Sequence, residues 1–329
     1  MSKRVGSILI AFGMIGSWAT VVPAGTIVGW GDNRFGIIDA IPSGSDFVSI
    51  SANWGWAMAL RSDGSIASWG VAGFGLPTQT PTGTGFTKVY AASQNGFALR
   101  SDGSIAAWGR NDWGLVSQRP TGTGFLDVVA GGARTAWALR ADGSIAAWGL
   151  NDENLLSGTP TGTGYRAIAS RQSTAFALRA DGSIAAWGKN DFNLVSGAPT
   201  GSGFVAIAAG DRNAYALRAD GSIAAWGWAG FGALNAPSGT GFTAITAGDS
   251  AGYALRPDGS IAAWGAVGDN GNGFTINPTG KGYSAIAAGR FELYAINPVP
   301  EPSTIALVGS SIPLALAWVT RRRRSLRRG

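Results

Sequence analysis

The chain has 329 residues, 52 glycines, no cysteine, no histidine and a formal net charge of +6. Without cysteine there are no disulfides, thiolate metal sites or thiol nucleophiles, and without histidine the commonest general base and zinc ligand are missing. The charge does not mark a nucleic-acid binder: Lys3, Arg4 and six C-terminal arginines lie at the extreme ends, and the stretch between them is close to neutral.

The N-terminus reads Lys3-Arg4, then an apolar run from Val5 to about Trp18, then Val22-Pro23-Ala24. A positive start, an apolar middle and a small residue before a cut are the parts of a secretory signal peptide. Residues 1–24 are therefore expected to be removed, with cleavage after Ala24. The alternative is a buried first strand, and the start of a repeat at Thr26 argues against it.

Trp-Gly then recurs at Trp30, Trp69, Trp108, Trp148, Trp187, Trp226 and Trp264, in steps of 38 to 40 residues. A period in that range means a repeat architecture, here one domain over residues 25–298. One unit reads Phe204-Val-Ala-Ile-Ala-Ala-Gly, a short polar loop, Tyr215-Ala-Leu-Arg, Ala219-Asp220-Gly221, then Ser222-Ile-Ala-Ala-Trp-Gly227. Three short apolar runs bounded by turn signals read as strands. Asp-Gly joins the second and third runs at Asp63, Asp102, Asp142, Asp181, Asp220 and Asp258, a hairpin signal because glycine accepts positive φ.

One such unit cannot bury its own faces, so neighbours must stack. The expected fold is all-β: a seven-bladed β-propeller of three- to four-stranded blades. The alanines of Ile-Ala-Ala are expected near its crowded axis. A straight β-solenoid is the alternative, but solenoid coils are usually shorter than this period.

The first unit begins directly with a third strand, Thr26-Ile-Val-Gly-Trp-Gly31, and the last ends with a second strand, Tyr294-Ala-Ile296. The missing turn predicts that these two strands pair non-covalently, closing the ring and removing an open edge.

The pattern Gly-x-x-x-x-(aromatic)-Ala-Leu-x-x-Asp-Gly-x-Ile-x-x-Trp-Gly resembles the regulator of chromosome condensation repeat. It is most similar to a short-repeat bacterial branch that includes a propeller-type β-lactamase inhibitory protein. The resemblance spans all seven units and implies a seven-bladed propeller. It implies little about function, because function resides in sites grafted onto folds. Eukaryotic repeats commonly carry a histidine just before the second strand's core. Here the corresponding positions are Trp56, Asn95, Thr135, Thr174, Asn213, Gly252 (aligned with gaps) and Glu292 or its neighbour.

The loops after Trp-Gly vary more than the strands. Their fourth positions are Phe35, Phe74, Trp113, Glu153, Phe192, Phe231 and Asp269. In a propeller these form a ring on one face, either as aromatic anchors for a ligand or as rings packed on their own loops. Trp54, Trp56, Trp228, Phe274 and Phe291 are aromatics that most units lack. The candidate binding surface is Trp54, Trp56, Phe74, Trp113, Phe192, Trp228, Phe231 and Phe274. The loop clusters Asp32-Asn33, Asn111-Asp112, Asn151-Asp152-Glu153, Asn190-Asp191 and Asp269-Asn270 carry oxygen ligands suited to calcium. They lack the acidic alternation of a dedicated calcium loop, and turn capping is the expected role. Asp152 and Glu153 are the strongest acid pair, but adjacent loop carboxylates lack the opposed geometry of glycoside cleavage. No catalytic residue, metal or cofactor is expected.

The C-terminal segment, 299–329, contains Pro300-Glu301-Pro302, an uncharged stretch and then Arg321, Arg322, Arg323 and Arg324 with Arg327 and Arg328. Residues 304–320, as a helix, are just long enough to cross a hydrocarbon core, and the arginines fix the cytoplasmic side. These parts resemble the PEP-CTERM sorting signal of bacterial surface proteins. That resemblance implies transient membrane insertion and processing by an exosortase; a permanent anchor is the alternative. The expected protein is an exported, non-enzymatic, monomeric propeller. It is expected to bind an extracellular protein or polysaccharide at the cell surface or in the matrix, and not nucleic acid. The alternatives are a carbohydrate-active enzyme using Asp and Glu alone, and an inhibitor of a secreted enzyme.

Overall fold

The computed structural model describes residues 22–33, 36–71, 76–132, 134–266 and 276–299. Most of the expected signal peptide, the tail from Pro300 onward with its expected helix and arginines, Phe74 and Phe274 lie outside the described residues. Among the described residues no helix is long and apolar enough to cross a membrane.

The chain folds as strands joined by tight turns. After β1 (Gly25–Gly31) come six triplets: β2–β4 (Phe47–Asn53, Trp56–Arg61, Ile66–Gly70), β5–β7 (Phe86–Ala91, Asn95–Arg100, Ile105–Gly109), β8–β10 (Phe125–Gly131, Thr135–Arg140, Ile145–Gly149), β11–β13 (Tyr165–Arg171, Thr174–Arg179, Ile184–Gly188), β14–β16 (Phe204–Ala209, Asn213–Arg218, Ile223–Gly227) and β17–β19 (Ala244–Ala247, Ala251–Leu255, Ile261–Gly265). β20 (Ala285–Ala288) and β21 (Glu292–Pro298) complete the fold. Each triplet is an antiparallel sheet in chain order, and β20, β21 and β1 make the seventh. We number these units 1 to 7. The blades have three strands each among the described residues. Their first strands pack neighbour on neighbour right around the molecule, and β20 meets β2, so the ring is closed.

Closure is by strand exchange between the ends. β1 and β21 pair in unbroken register from Gly25↔Pro298 to Gly31↔Glu292. The Asp32 N–H also donates to the Phe291 carbonyl at 3.0 Å, as Leu150 does to Arg134 in unit 3 at 2.7 Å. Gly25 has to be glycine, because a Cβ there would lie 2.2 Å from the Asn297 carbonyl oxygen.

The recurrent residues hold blades together. Trp148, Trp187 and Trp226 donate their indole N–H groups to the carbonyls of Leu115, Leu155 and Leu194, each in the loop from the preceding unit, at 3.0, 3.1 and 2.9 Å. Each ring also meets, edge to face, an aromatic of the preceding unit's second strand: Phe97, Trp137 and Phe176. Trp69 makes that ring contact with Tyr294 across the junction of units 1 and 7. In units 1 to 6 an arginine at the end of the second strand stacks on the aromatic at the start of the first, as Arg179 does on Tyr165 and Arg218 on Phe204. These arginines are spent on packing, which accounts for much of the basic charge within the repeats.

The six Asp-Gly turns are built alike. In unit 3 the Gly143 N–H donates to the Arg140 carbonyl, and the Asp142 carboxylate accepts the Ser144 N–H at 2.8 Å. Only the glycine has positive φ, +78° at Gly143, so this is a three-residue loop in which the aspartate braces the turn. Backbone donation from serine holds the Asp142 carboxyl below its ordinary range.

One expectation is corrected here. The Ile-Ala-Ala alanines lie on the third strand, at the rim, and not at the axis. The axis is lined by the first strands, including Val129, Ile168, Ile207 and Ala287. These leave about 70 Å3 of free channel. Tyr90 crosses that space, its hydroxyl 3.2 Å from the carbonyl oxygens of both Ala130 and Ser170.

Candidate ligand-binding face

In every unit the turn between the first and second strands and the Trp-Gly end of the third strand lie on the same face. The Asp-Gly turns lie on the opposite face. The asparagines that follow Trp-Gly shape their loops: Asn111 Oδ1 accepts the N–H groups of Val116 and Ser117 at 3.0 Å, and Asn151 and Asn190 do the same in units 3 and 4. The turn-capping role expected for them is what the geometry shows. The adjacent carboxylates of Asp152 and Glu153 turn to different partners: Asp152 bonds Arg134 at 2.8 Å, and Glu153 faces Lys189 at 3.8 Å. Among the described residues no cluster of acidic side chains has metal-binding geometry.

The aromatic candidates separate into three groups. Phe192, Trp228 and Phe231 come together. Trp228 lies between the two phenylalanines, with ring centres 6.4 Å from Phe192 and 5.2 Å from Phe231. The Arg212 guanidinium lies 5.2 Å from the Trp228 ring centre on the same patch. Phe192 and Phe231 are 45% and 43% exposed. Their backbones are left-handed, at φ of 56° and 54°. For a bulky residue that conformation costs about 1–3 kcal/mol, so two strained positions present exposed rings at one place.

Two more candidates face the same way in other sectors. Trp54, in the turn after β2, is 49% exposed. Trp113 is half-buried between the guanidiniums of Arg110 and Arg134, 5.3 and 5.8 Å from its ring centre.

Trp56 is a correction. It is 1% exposed, and its indole N–H donates to the Ala92 carbonyl of unit 2 at 2.8 Å. It opens β3 opposite Gly70, so its ring points between blades and touches no ligand. Phe291, another aromatic outside the repeat pattern, lies just before β21 and is buried in the core of the closing blade. The strand pairing corrects one position corresponding to the family's histidine, Ala251 rather than Gly252 in unit 6, opposite Gly265, and fixes another as Glu292 in unit 7, opposite Gly31. In units 2 to 4 that position ties the strand to the following loop: Asn95, Thr135 and Thr174 donate to the carbonyls of Arg110, Leu150 and Lys189.

Beside the aromatic patch lies a cleft of about 250 Å3. Its walls include Lys189, Asp191, Asp211, Arg212, Asp249 and Arg290, with Phe192 at its edge. Sequence reasoning missed it. Asp211, Asp249 and Arg290 occupy equivalent turns of units 5, 6 and 7, where units 1 to 4 carry other residues. That departure from the repeat was the available signal. Beneath the cleft Arg171 and Asp211 form a buried ion pair at 2.6 Å. Arg290 and Arg212 approach Asp211 and Asp249 at 3.6 and 3.9 Å. Asp249 is 1% exposed, and its Oδ1 accepts no hydrogen bond from the described residues. Burial, with the Asp211 carboxylate beside it, pushes the Asp249 carboxyl above its ordinary range.

No protein-family model matches the chain, and no curated protein matches it in sequence. Solved structures do match in fold. Prp20p from Saccharomyces cerevisiae, described with its binding to Gsp1p and histones, aligns with a TM-score of 0.70 at 16% identity over 91% of this chain and 97% of that one. Human WBSCR16 aligns at 0.63 and 14% identity, covering 83% and 100%. The ectodomain of the Physcomitrella patens receptor kinase CR4 aligns at 0.61 and 21%, covering 74% and 69%. At these identities the likeness concerns the fold alone. With its repeated three-stranded sheets, the chain is a β-propeller similar to that of the regulator of chromosome condensation.

Proposed function

We propose that this protein is an exported binding scaffold that presents its Trp-Gly face to an extracellular protein or glycan and carries out no chemistry of its own. The observation that carries this reading is the patch in which exposed Phe192 and Phe231 flank half-buried Trp228. Two strained backbones and a stacked arginine hold it beside a charged cleft. Rigid aromatics that gain nothing for the fold by being exposed are the usual anchors of recognition. The similar solved structures include protein binders, which agrees with a scaffold role.

Export rests on the two ends of the sequence. Residues 1–24 carry the parts of a signal peptide. Residues 299–329 carry Pro300-Glu301-Pro302, the apolar stretch and the arginine cluster. In this reading an exosortase-type enzyme processes the tail.

The test is a glycan array and a pull-down from the extracellular fraction, with the wild-type chain and a Trp228→Ala, Phe231→Ala double variant. The expected result is saturable binding to one ligand class, lost in the double variant at unchanged melting temperature. Binding that survives the double change removes this face from the reading. Glycan cleavage that is lost on replacing Asp152 and Glu153 would make the protein an enzyme instead.

A further inference from the structure

We infer that the cleft beside Phe192 is a subsite for one neutral pyranose ring of a polysaccharide, a reading that rests on the scaffold function proposed above. The cleft's surroundings carry both signs: Lys189, Arg212 and Arg290 line it with Asp191, Asp211 and Asp249, Arg171 pairs with Asp211 beneath it, and Glu153 lies 3.8 Å from Lys189. A strongly anionic ligand meets three carboxylates there. A cationic one meets three cations, and the Trp228 ring it would stack on already carries Arg212. A neutral polyhydroxyl ligand meets neither obstacle.

The spacing suits hydroxyl groups. Arg212 Nε and Asp249 Oδ1 are 3.9 Å apart, beyond hydrogen-bond length. Adjacent hydroxyls on a sugar ring can each donate to a carboxylate and accept from a guanidinium, so one vicinal pair bridges such a gap. Asp249 Oδ1, buried and without a protein donor, is the acceptor that most lacks a partner. Phe192 supplies an apolar plate at the edge for the ring's C–H face. A cleft of about 250 Å3 admits a ring-sized group.

The experiment uses the full chain in detergent, titrated with neutral glucan, mannan and galactan oligosaccharides. A polygalacturonate oligosaccharide and an oligolysine peptide serve as charged comparisons, and tryptophan fluorescence and calorimetry are the readouts. At least one neutral oligosaccharide should bind, with affinity falling more than tenfold in Asp249→Asn and in Phe192→Gly. Phe192→Gly separates binding from folding: it relieves a left-handed backbone, so the melting temperature should hold or rise while affinity is lost. If Asp249→Asn fails to fold, the exposed Phe192→Gly variant still decides the matter.

Equal affinity for neutral sugars in Phe192→Gly overturns the subsite. Preferential binding of the charged probes, or of a protein, overturns it too; if Trp228→Ala abolishes that binding, the scaffold reading stands. Absence of any ligand, sugar or protein, removes both.

Discussion

Glu292 places a carboxyl group inside the blade that joins the two ends. It is buried opposite Gly31, and its Oε2 accepts only the neighbouring Phe291 N–H at 3.2 Å among the hydrogen bonds described. Burial pushes its pKa from 4.5 to about 7, with Asp32 adding repulsion and Arg171 opposing it. Between those two values the folded protein holds a proton that the unfolded chain has released. The stability it contributes is therefore complete below about pH 4.5 and is lost as pH rises through 7. Glu292→Gln, which copies the protonated form, should leave the melting temperature nearly unchanged at pH 4 and raise stability by up to about 3 kcal/mol at pH 8. Thermal melts at the two pH values check this; equal effects at both would show that Glu292 does not titrate in the fold. Single residues were the least legible level of the sequence. Trp54 and Trp56 both depart from the repeat and both look like surface anchors. One is exposed in a turn and the other fills a gap between blades, because a strand's facing depends on a register that composition does not display.

At the scale of the element, the Asp-Gly turn distinguishes two kinds of glycine. Gly143, at φ +78°, lies against the next blade, where a Cβ would come within 2.5 Å of the Gly164 nitrogen and 2.7 Å of the Tyr165 oxygen. Gly162, at φ +93°, has no atom within 4 Å of that position. Gly162→Ala should cost only its backbone strain, about 1–2 kcal/mol. Gly143→Ala adds a clash between blade backbones that no side-chain rotation relieves, so its fall in melting temperature should be several-fold larger. Similar falls would mean that the turn does not dock on its neighbour. The turn, the three-strand unit and the period were all readable in the sequence, because each rests on local signals: positive-φ glycines, aspartate bracing and apolar runs of strand length. The placing of Ile-Ala-Ala at the axis failed for the converse reason. Ala-Ile-Ala and Ile-Ala-Ala have the same apolar character, and only the closed ring decides which strand lies inside.

At the scale of the molecule, the fold depends on an exchange that the order of the elements announces. Counting Trp-Gly pairs against Asp-Gly turns predicts one junction without a turn, and β1 and β21 fill it residue for residue. Deleting 291–297 should expose an edge of β1, remove the partner of β20 and lower the melting temperature sharply; an unchanged melting curve would refute closure by these strands. The charged cleft could not be foreseen in this way. Asp211, Asp249 and Arg290 are about 40 residues apart in the chain, and only the ring brings their turns to one place.

The pairing of Gly25 with Pro298 also fixes a direction. Both strands of the closing pair have their outer ends on the side of the Asp-Gly turns, so the chain enters and leaves the propeller at one pole. The aromatic patch and the cleft occupy the other. Residues Gly25 and Pro298 therefore mark the pole of the propeller that faces away from Phe192, Trp228 and Phe231.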